Sequence, residues 1–253
     1  MKLTITSLLV LLLMSSCASK KDILYMQDAE RLDGAVLNYT DPTIQPNDIL
    51  KITVASAMPE AALLYNKAGA QGMQVQNMQL LQLDGYLVSL EHTISFPVLG
   101  EISTVNKTTY QLATELTSLL KSGDHLRDAT VNVRLLNAKV TILGQVNSPG
   151  TYSFTEQNIT VLQALGYAND LTINGKRDDI LITREENGIR KIAHIDLTSA
   201  QFLNSEFYFV KPNDVIVVNP NNPQVKQAGF IGNVGTILTI ASLALSITIL
   251  LSR

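Results

Sequence analysis

The chain has 253 residues, 19 Lys+Arg against 22 Asp+Glu, a formal net charge of −3, three histidines, one cysteine and no tryptophan. Without a basic run it carries no electrostatic footprint for nucleic acid. Its scattered histidines and lone cysteine give no metal-ligand spacing and no disulfide framework, so no metal and no cofactor are expected. The 46% hydrophobic content is swollen by two apolar ends, which leave a polar middle.

At the amino end Lys2 precedes an apolar run from Leu3 to Leu13, followed by the small pair Ser15-Ser16 and then Cys17. Residues 1–16 have the layout of a secretory signal peptide and are short for a bilayer span. The tetrapeptide M-S-S-C resembles the bacterial lipobox, although Met14 replaces the more usual leucine. That resemblance implies lipid attachment at Cys17, which becomes the first mature residue, so membrane lipid is an expected partner. Ala18 follows, not the Asp that resembles an inner-membrane retention signal, so the outer membrane is expected, with the body facing the periplasm. Residues 17–39, of mixed charge, read as a lipidated linker.

Order is expected from residue 40. T-I-Q-P-N-D-I-L-K-I-T-V (43–54) opens with a Pro-Asn-Asp turn and continues with Ile49, Ile52 and Val54 as an imperfect strand. G-Y-L-V-S-L-E-H-T-I-S-F-P-V-L-G-E-I (85–102) reads as two short strands, the second punctuated by Pro97 and Gly100. In 108–123, Leu112, Leu116, Leu119 and Leu120 recur at helical spacing, Thr108 or Thr109 can cap the start, and Gly123 stops the helix. T-V-N-V-R-L-L (130–136) alternates as a strand. Residues 40–136 thus form an α+β unit.

The second unit, 137–221, starts with strand residues Val140, Ile142 and Val146 and a type II turn at Ser148-Pro149-Gly150-Thr151. A short helix covers 159–168, with Asn158 or Thr160 near its cap. A hairpin joins 178–184 to 189–197 through Asn187-Gly188. Tyr208–Val210 and Val215–Val218 supply further strands. V-K-P-N-D-V (210–215) repeats the Pro-Asn-Asp device of 46–48, which turn chemistry alone can produce twice.

The fragments V-T-I-L-G-Q-V-N-S-P-G-T-Y, T-V-L-Q-A-L-G-Y-A, I-L-I-T-R and V-K-P-N-D-V-I-V-V resemble a SLBB domain, a β-grasp module that binds soluble ligands. I-Q-P-N-D-I-L-K-I-T-V, I-S-F-P-V-L-G-E-I and A-T-V-N-V-R are similar to the polysaccharide export domain. In this order behind a lipobox, they resemble the polysaccharide export outer-membrane lipoproteins, the Wza-type translocons. Two departures stand out: only one SLBB unit, and Asn47 and Asn213 where the family usually has Gly. Asn tolerates positive φ, so the turn survives. The resemblance implies a polysaccharide substrate, a cyclic homo-oligomer, and an inner-membrane polysaccharide copolymerase coupled to a tyrosine kinase as partner.

The carboxyl end, 226–253, predicts a transmembrane helix: Gly229 to Leu251 would reach roughly 35 Å, against a hydrocarbon core of about 30 Å. Gly232, Gly235, Thr239, Ser242 and Ser246 recur at spacings of three and four and form a small, hydroxyl-rich seam. Two readings stay open, a membrane tail or helix pair packed through the seam, and a ring whose seam faces a pore. The fold class expected is therefore α+β, with two small β-rich domains followed by a C-terminal transmembrane helix.

No catalytic constellation is legible. Asp178-Asp179 and Glu185-Glu186 read as solvated turn charges. His92, His125 and His194 lack Ser, Cys or Asp partners at motif spacing, and no phosphate-binding glycine loop follows a strand. The function expected is a non-enzymatic channel exporting capsular or exopolysaccharide. A non-conducting SLBB lipoprotein that binds glycan or scaffolds an envelope complex is the alternative, and a wall-glycan hydrolase is a distant third.

Overall fold

The computed structural model describes residues 21, 23–32, 34, 39–67, 78–222 and 234–251. The expected signal peptide at 1–16, the expected lipid-attachment residue Cys17 and the seam residue Gly232 lie outside the described residues.

Two apolar clusters organise the body. The first runs from Ile44 to Val133. It is built from β1 (Ile49–Ala55), α1 (Pro59–Ala62), α2 (Met78–Leu83), β2 (Tyr86–Leu87), β3 (Thr93–Phe96), β4 (Gly100–Ser103), α3 (Thr109–Ser122) and β5 (Thr130–Leu135). An antiparallel sheet of order β2-β1-β5 presents Leu50, Ile52 and Val54 from β1 and Val131 and Val133 from β5 to the core. The buried alternation of β1 therefore starts at Leu50 and not at Ile49, because successive strand side chains point to opposite faces. Across the core, α3 inserts Leu112, Leu116 and Leu120, each 0% exposed. Burying each such leucine is worth about 1.5–3 kcal/mol. Leu119, a quarter-turn away, is 37% exposed.

The start of α3 is fixed by a reciprocal capping box. The Gln111 amide N–H donates to Thr108 Oγ1 at 3.2 Å, and the Thr108 N–H donates to Gln111 Oε1 at 2.9 Å. At its end the Gly123 N–H still reaches Leu119 O at 3.0 Å, with φ −82°, so this glycine stops the helix without a left-handed turn.

The second cluster runs from Ala138 to Val218. Its elements are β6 (Lys139–Gly144), β7 (Gly150–Ser153), β8 (Ile159–Thr160), α4 (Val161–Tyr167), β9 (Gly175–Glu186), β10 (Ile189–Ile195), β11 (Phe209–Val210) and β12 (Val215–Pro220). The five-stranded sheet has the order β10-β9-β12-β6-β7, with β12 parallel to β6 and the other pairs antiparallel. Thr160 and Gln163 form a second capping box at α4. The β9–β10 turn has Asn187 at φ 52° and Gly188 at φ 73°, the two left-handed residues a type I′ hairpin requires.

Two local features differ from the sequence expectation. Gly150 is the first residue of β7 and has no positive φ, so Ser148–Thr151 is not a type II turn. Instead, the Tyr152 hydroxyl donates back to Ser148 O and closes the corner. Gly144 is where glycine is required: its φ is +90°, and a Cβ there would lie 2.1 Å from Val218 O on the parallel neighbour β12.

The stretch expected as linker is partly pinned. Met26 N–H donates to Leu197 O at 2.9 Å and Gln27 N–H to Thr198 O at 2.8 Å. Asp28 accepts from the Ala200 N–H and from Ser199 Oγ, and Tyr25 packs against the second core with its hydroxyl on Asp170. Composition hides this because the contacts are main-chain bonds and single side-chain caps, not a periodic apolar face.

The last described element is α5 (Val234–Leu251). The sequence predicts a transmembrane helix over 226–253, and the structure corrects this: among the described residues no helix is long and apolar enough to cross a membrane. Its 18 residues reach about 27 Å, less than a hydrocarbon core of about 30 Å. Thr239, Ser242 and Ser246 also interrupt its apolar surface.

Candidate functional site

The two Pro-Asn-Asp tripeptides fold into the same turn. Asn47 and Asn213 both sit at φ 68°. In each, the aspartate reaches back three residues: Gln45 N–H donates to Asp48 Oδ2 at 2.8 Å, and Lys211 N–H donates to Asp214 Oδ2 at 2.9 Å. Both aspartates are buried, at 3% and 1% exposure. Asn supplies the positive φ, and the aspartate ties the turn to the strand that follows.

The turns differ in what meets the carboxylate. Asp214 is clasped by Arg184, whose Nε lies 3.0 Å from Oδ1 and whose Nη2 lies 2.8 Å from Oδ2. Arg184 also donates to Glu206 O and Phe209 O, and its guanidinium lies 4.6 Å from the centre of the Phe207 ring. Among the described residues Asp48 has no such cation. Burial pushes its carboxyl up to about 6, against the pull of the Gln45 N–H.

Asp48 opens onto a cleft of about 340 Å³ between the two cores, lined also by Asp41, Thr43, Asn132, Arg134 and Glu156 and flanked by Pro212 of the second turn. The domains are held beside it by polar contacts. Gln45 and Asn187 exchange two hydrogen bonds, of 2.9 and 3.2 Å. Asn137, at the junction, accepts from Ile49 N–H and donates to Asn47 O, both at 2.9 Å.

The other sequence candidates fall apart from this cleft. On α5, Thr239 Oγ1 donates to Gly235 O at 2.7 Å, Ser242 Oγ to Thr239 O at 2.9 Å, and Ser246 Oγ to Ser242 O at 2.8 Å. The seam hydroxyls thus spend their protons within their own helix. Asp179 bonds both Lys176 and His194, and these contacts, Lys176 first, hold its carboxyl below the usual range. Glu185 pairs with Arg190, and Glu186, at the end of β9, pairs with Lys211 at 2.6 Å. Among the described residues no group of His, Cys, Asp and Glu is placed to hold a metal ion. Asp48 escaped sequence reasoning as a site residue. Its signal was indirect: the repeated turn motif, of which one copy finds a buried arginine and the other does not.

Residues 38–136, the first domain with its entry turn, match the sequence profile of the family described as polysaccharide biosynthesis/export protein. The chain is also similar to the EPS I polysaccharide export outer membrane protein EpsA of Ralstonia solanacearum, with 25% identity over 140 residues. That similarity covers 54% of this chain and 36% of the relative, so the chain spans about a third of the length of the protein it matches. The similarity to the polysaccharide export family thus lies in the first domain, residues 38–136.

Proposed function

We propose that the chain is an outer-membrane lipoprotein of a polysaccharide export apparatus, working as a closed cyclic homo-oligomer through which polymer leaves the cell. The observation that carries this is the family match over residues 38–136, supported by the outer-membrane export protein among its relatives. The second domain is read as the SLBB module. An inner-membrane copolymerase coupled to a tyrosine kinase is the partner that delivers polymer.

The geometry supports a particular orientation. The segment Tyr25–Asp28 is bonded to the second domain, and α5 follows that domain in the chain. Five residues lie between Cys17 and Ile23, so the six Cα steps span at most about 20 Å. A lipid on Cys17 would therefore hold the second domain close to the membrane and direct the first domain away from it. The seam of Gly235, Thr239, Ser242 and Ser246 is read as the contact between neighbouring copies of α5: small residues let the helices approach, and the hydroxyl oxygens remain able to accept.

The test is genetic and physical. Deleting the gene should abolish surface polysaccharide, and Cys17→Ser should lower it sharply. Gently extracted protein should sediment as a closed oligomer with a central lumen. Normal surface polysaccharide in the deletion strain rejects the export role, and a monomer under gentle extraction rejects the ring. Ser242→Leu with Ser246→Leu should weaken assembly; unchanged assembly and export reject the seam.

A further inference from the structure

We infer that the cleft at Asp48 is a binding site for a neutral, hydroxyl-rich saccharide unit. The inference rests on the export reading above for the nature of the polymer, and it adds where on the chain the polymer is held.

The twin turns supply the argument. Each presents a buried aspartate whose Oδ2 is taken by the backbone N–H three residues back. In the second domain the remaining acceptor capacity is filled by Arg184. In the first, Oδ1 of Asp48 receives no hydrogen bond from any described residue, although the side chain is only 3% exposed and lines the cleft. This oxygen is not sealed from solvent, so its donor comes through the cleft. The fold supplies one internally in one domain and leaves the other to receive one from outside.

The remaining lining narrows the class of donor. A lysine or arginine from another protein would copy Arg184, and Asp41, Asp48 and Glu156 outnumber Arg134 in attracting it, so methylguanidinium is the rival ligand in the titration below. An acidic sugar would meet Asp41, Asp48 and Glu156 against that single arginine. A neutral sugar hydroxyl suits both sides: it donates to Asp48 and accepts from Arg134, while the Asn132 amide can do either. At about 340 Å³ the cleft is at the small end of ligand sites, which run from about 300 to 1,000 Å³. It holds a short piece of a chain, not a length of it.

The full-length protein in detergent would be titrated with glucose, galactose, mannose and N-acetylglucosamine, and in separate arms with glucuronic acid and methylguanidinium, followed by calorimetry and ligand-observed NMR. At least one neutral sugar should bind in the millimolar range. Asp48→Ala should weaken that binding by about tenfold or more, as expected when a buried hydrogen-bond partner is lost. Because Asp48→Ala also removes a turn contact, Asn132→Ala serves as the second variant; its exposed side chain belongs to neither core, and it should weaken binding severalfold. Absence of binding by all four neutral sugars overturns the inference. So does binding that is equal in the wild type and Asn132→Ala, or a preference for glucuronic acid or methylguanidinium. Failure of sugar binding while gene deletion still abolishes surface polysaccharide rejects the cleft alone; sugar binding with normal surface polysaccharide in the deletion strain rejects the export role alone.

Discussion

Arg184 and Asp214 form a buried, two-point ion pair, with side chains 2% and 1% exposed and a shortest contact of 2.8 Å. The guanidinium joins β9, the turn before β12 and the segment 206–209 in one network. Removing one member leaves the other charge buried without a partner. Arg184→Met should therefore destabilise the second domain by about 3–5 kcal/mol, read as a fall in its denaturation midpoint. Arg184→Met combined with Asp214→Leu should cost less than the single change, because no lone charge remains.

Asp48 predicts a pH dependence of the opposite sign to that of most carboxylates. Its folded-state value, about 6, lies above the ordinary aspartate value of 3.8. The folded state therefore favours the protonated form, and stability is lost as pH rises from about 4 to about 6. A shift of that size corresponds to about 3 kcal/mol at most. Asp48→Asn keeps an acceptor for the Gln45 N–H without the buried charge. It should melt higher than the wild type above neutral pH, with the advantage vanishing below about pH 4. Equal melting temperatures across that range would contradict it.

Val98 stands at φ 66° at the tip of the β3–β4 hairpin, where Leu99 N–H donates to Pro97 O at 2.7 Å across a three-residue turn. A β-branched residue is strained in that region, and Val98 gains little from packing because it is 61% exposed. Val98→Asn should raise stability by about 1 kcal/mol, measured by urea denaturation.

Asp28 fastens the amino-terminal segment. Its carboxyl is held below the usual range, first by the Ala200 N–H and further by the Ser199 hydroxyl. A lowered value means that the contact is fully present above the ordinary carboxylate range and lost as pH falls through the folded-state value. Asp28→Ala should speed tryptic cleavage after Arg31 at neutral pH. Acid should loosen the same segment in the wild type, read as faster amide exchange at Met26 and Gln27 relative to the core of β9. Unchanged cleavage in the variant would show that the main-chain bonds to Leu197 and Thr198 suffice.

Local chemistry by itself determined much of this protein. Each helix start was legible to within two candidate caps, Thr108 or Thr109 and Asn158 or Thr160, and the capping boxes with Gln111 and Gln163 select Thr108 and Thr160. Asn187-Gly188 specified its hairpin because few residues accept positive φ twice in succession. The leucine spacing of 108–123 set the buried face of α3. The order of motifs pointed to the export family, which the match over 38–136 bears out.

Only the tertiary structure decided the rest. Gly150 was drawn into β7 because pairing with β6 outweighed the preference of the Pro-Gly dipeptide for a turn. The helix near the carboxyl end extends over 18 residues, and apolar composition cannot set that length. The different surroundings of Asp48 and Asp214 were hidden for a related reason. Identical tripeptides fold into identical turns through neighbours in sequence, but whether a guanidinium arrives depends on a strand 30 residues away in one domain and on a cleft between domains in the other. Local sequence fixes backbone geometry because it acts through adjacent bonds; burial and partner choice depend on what the whole fold brings together in space.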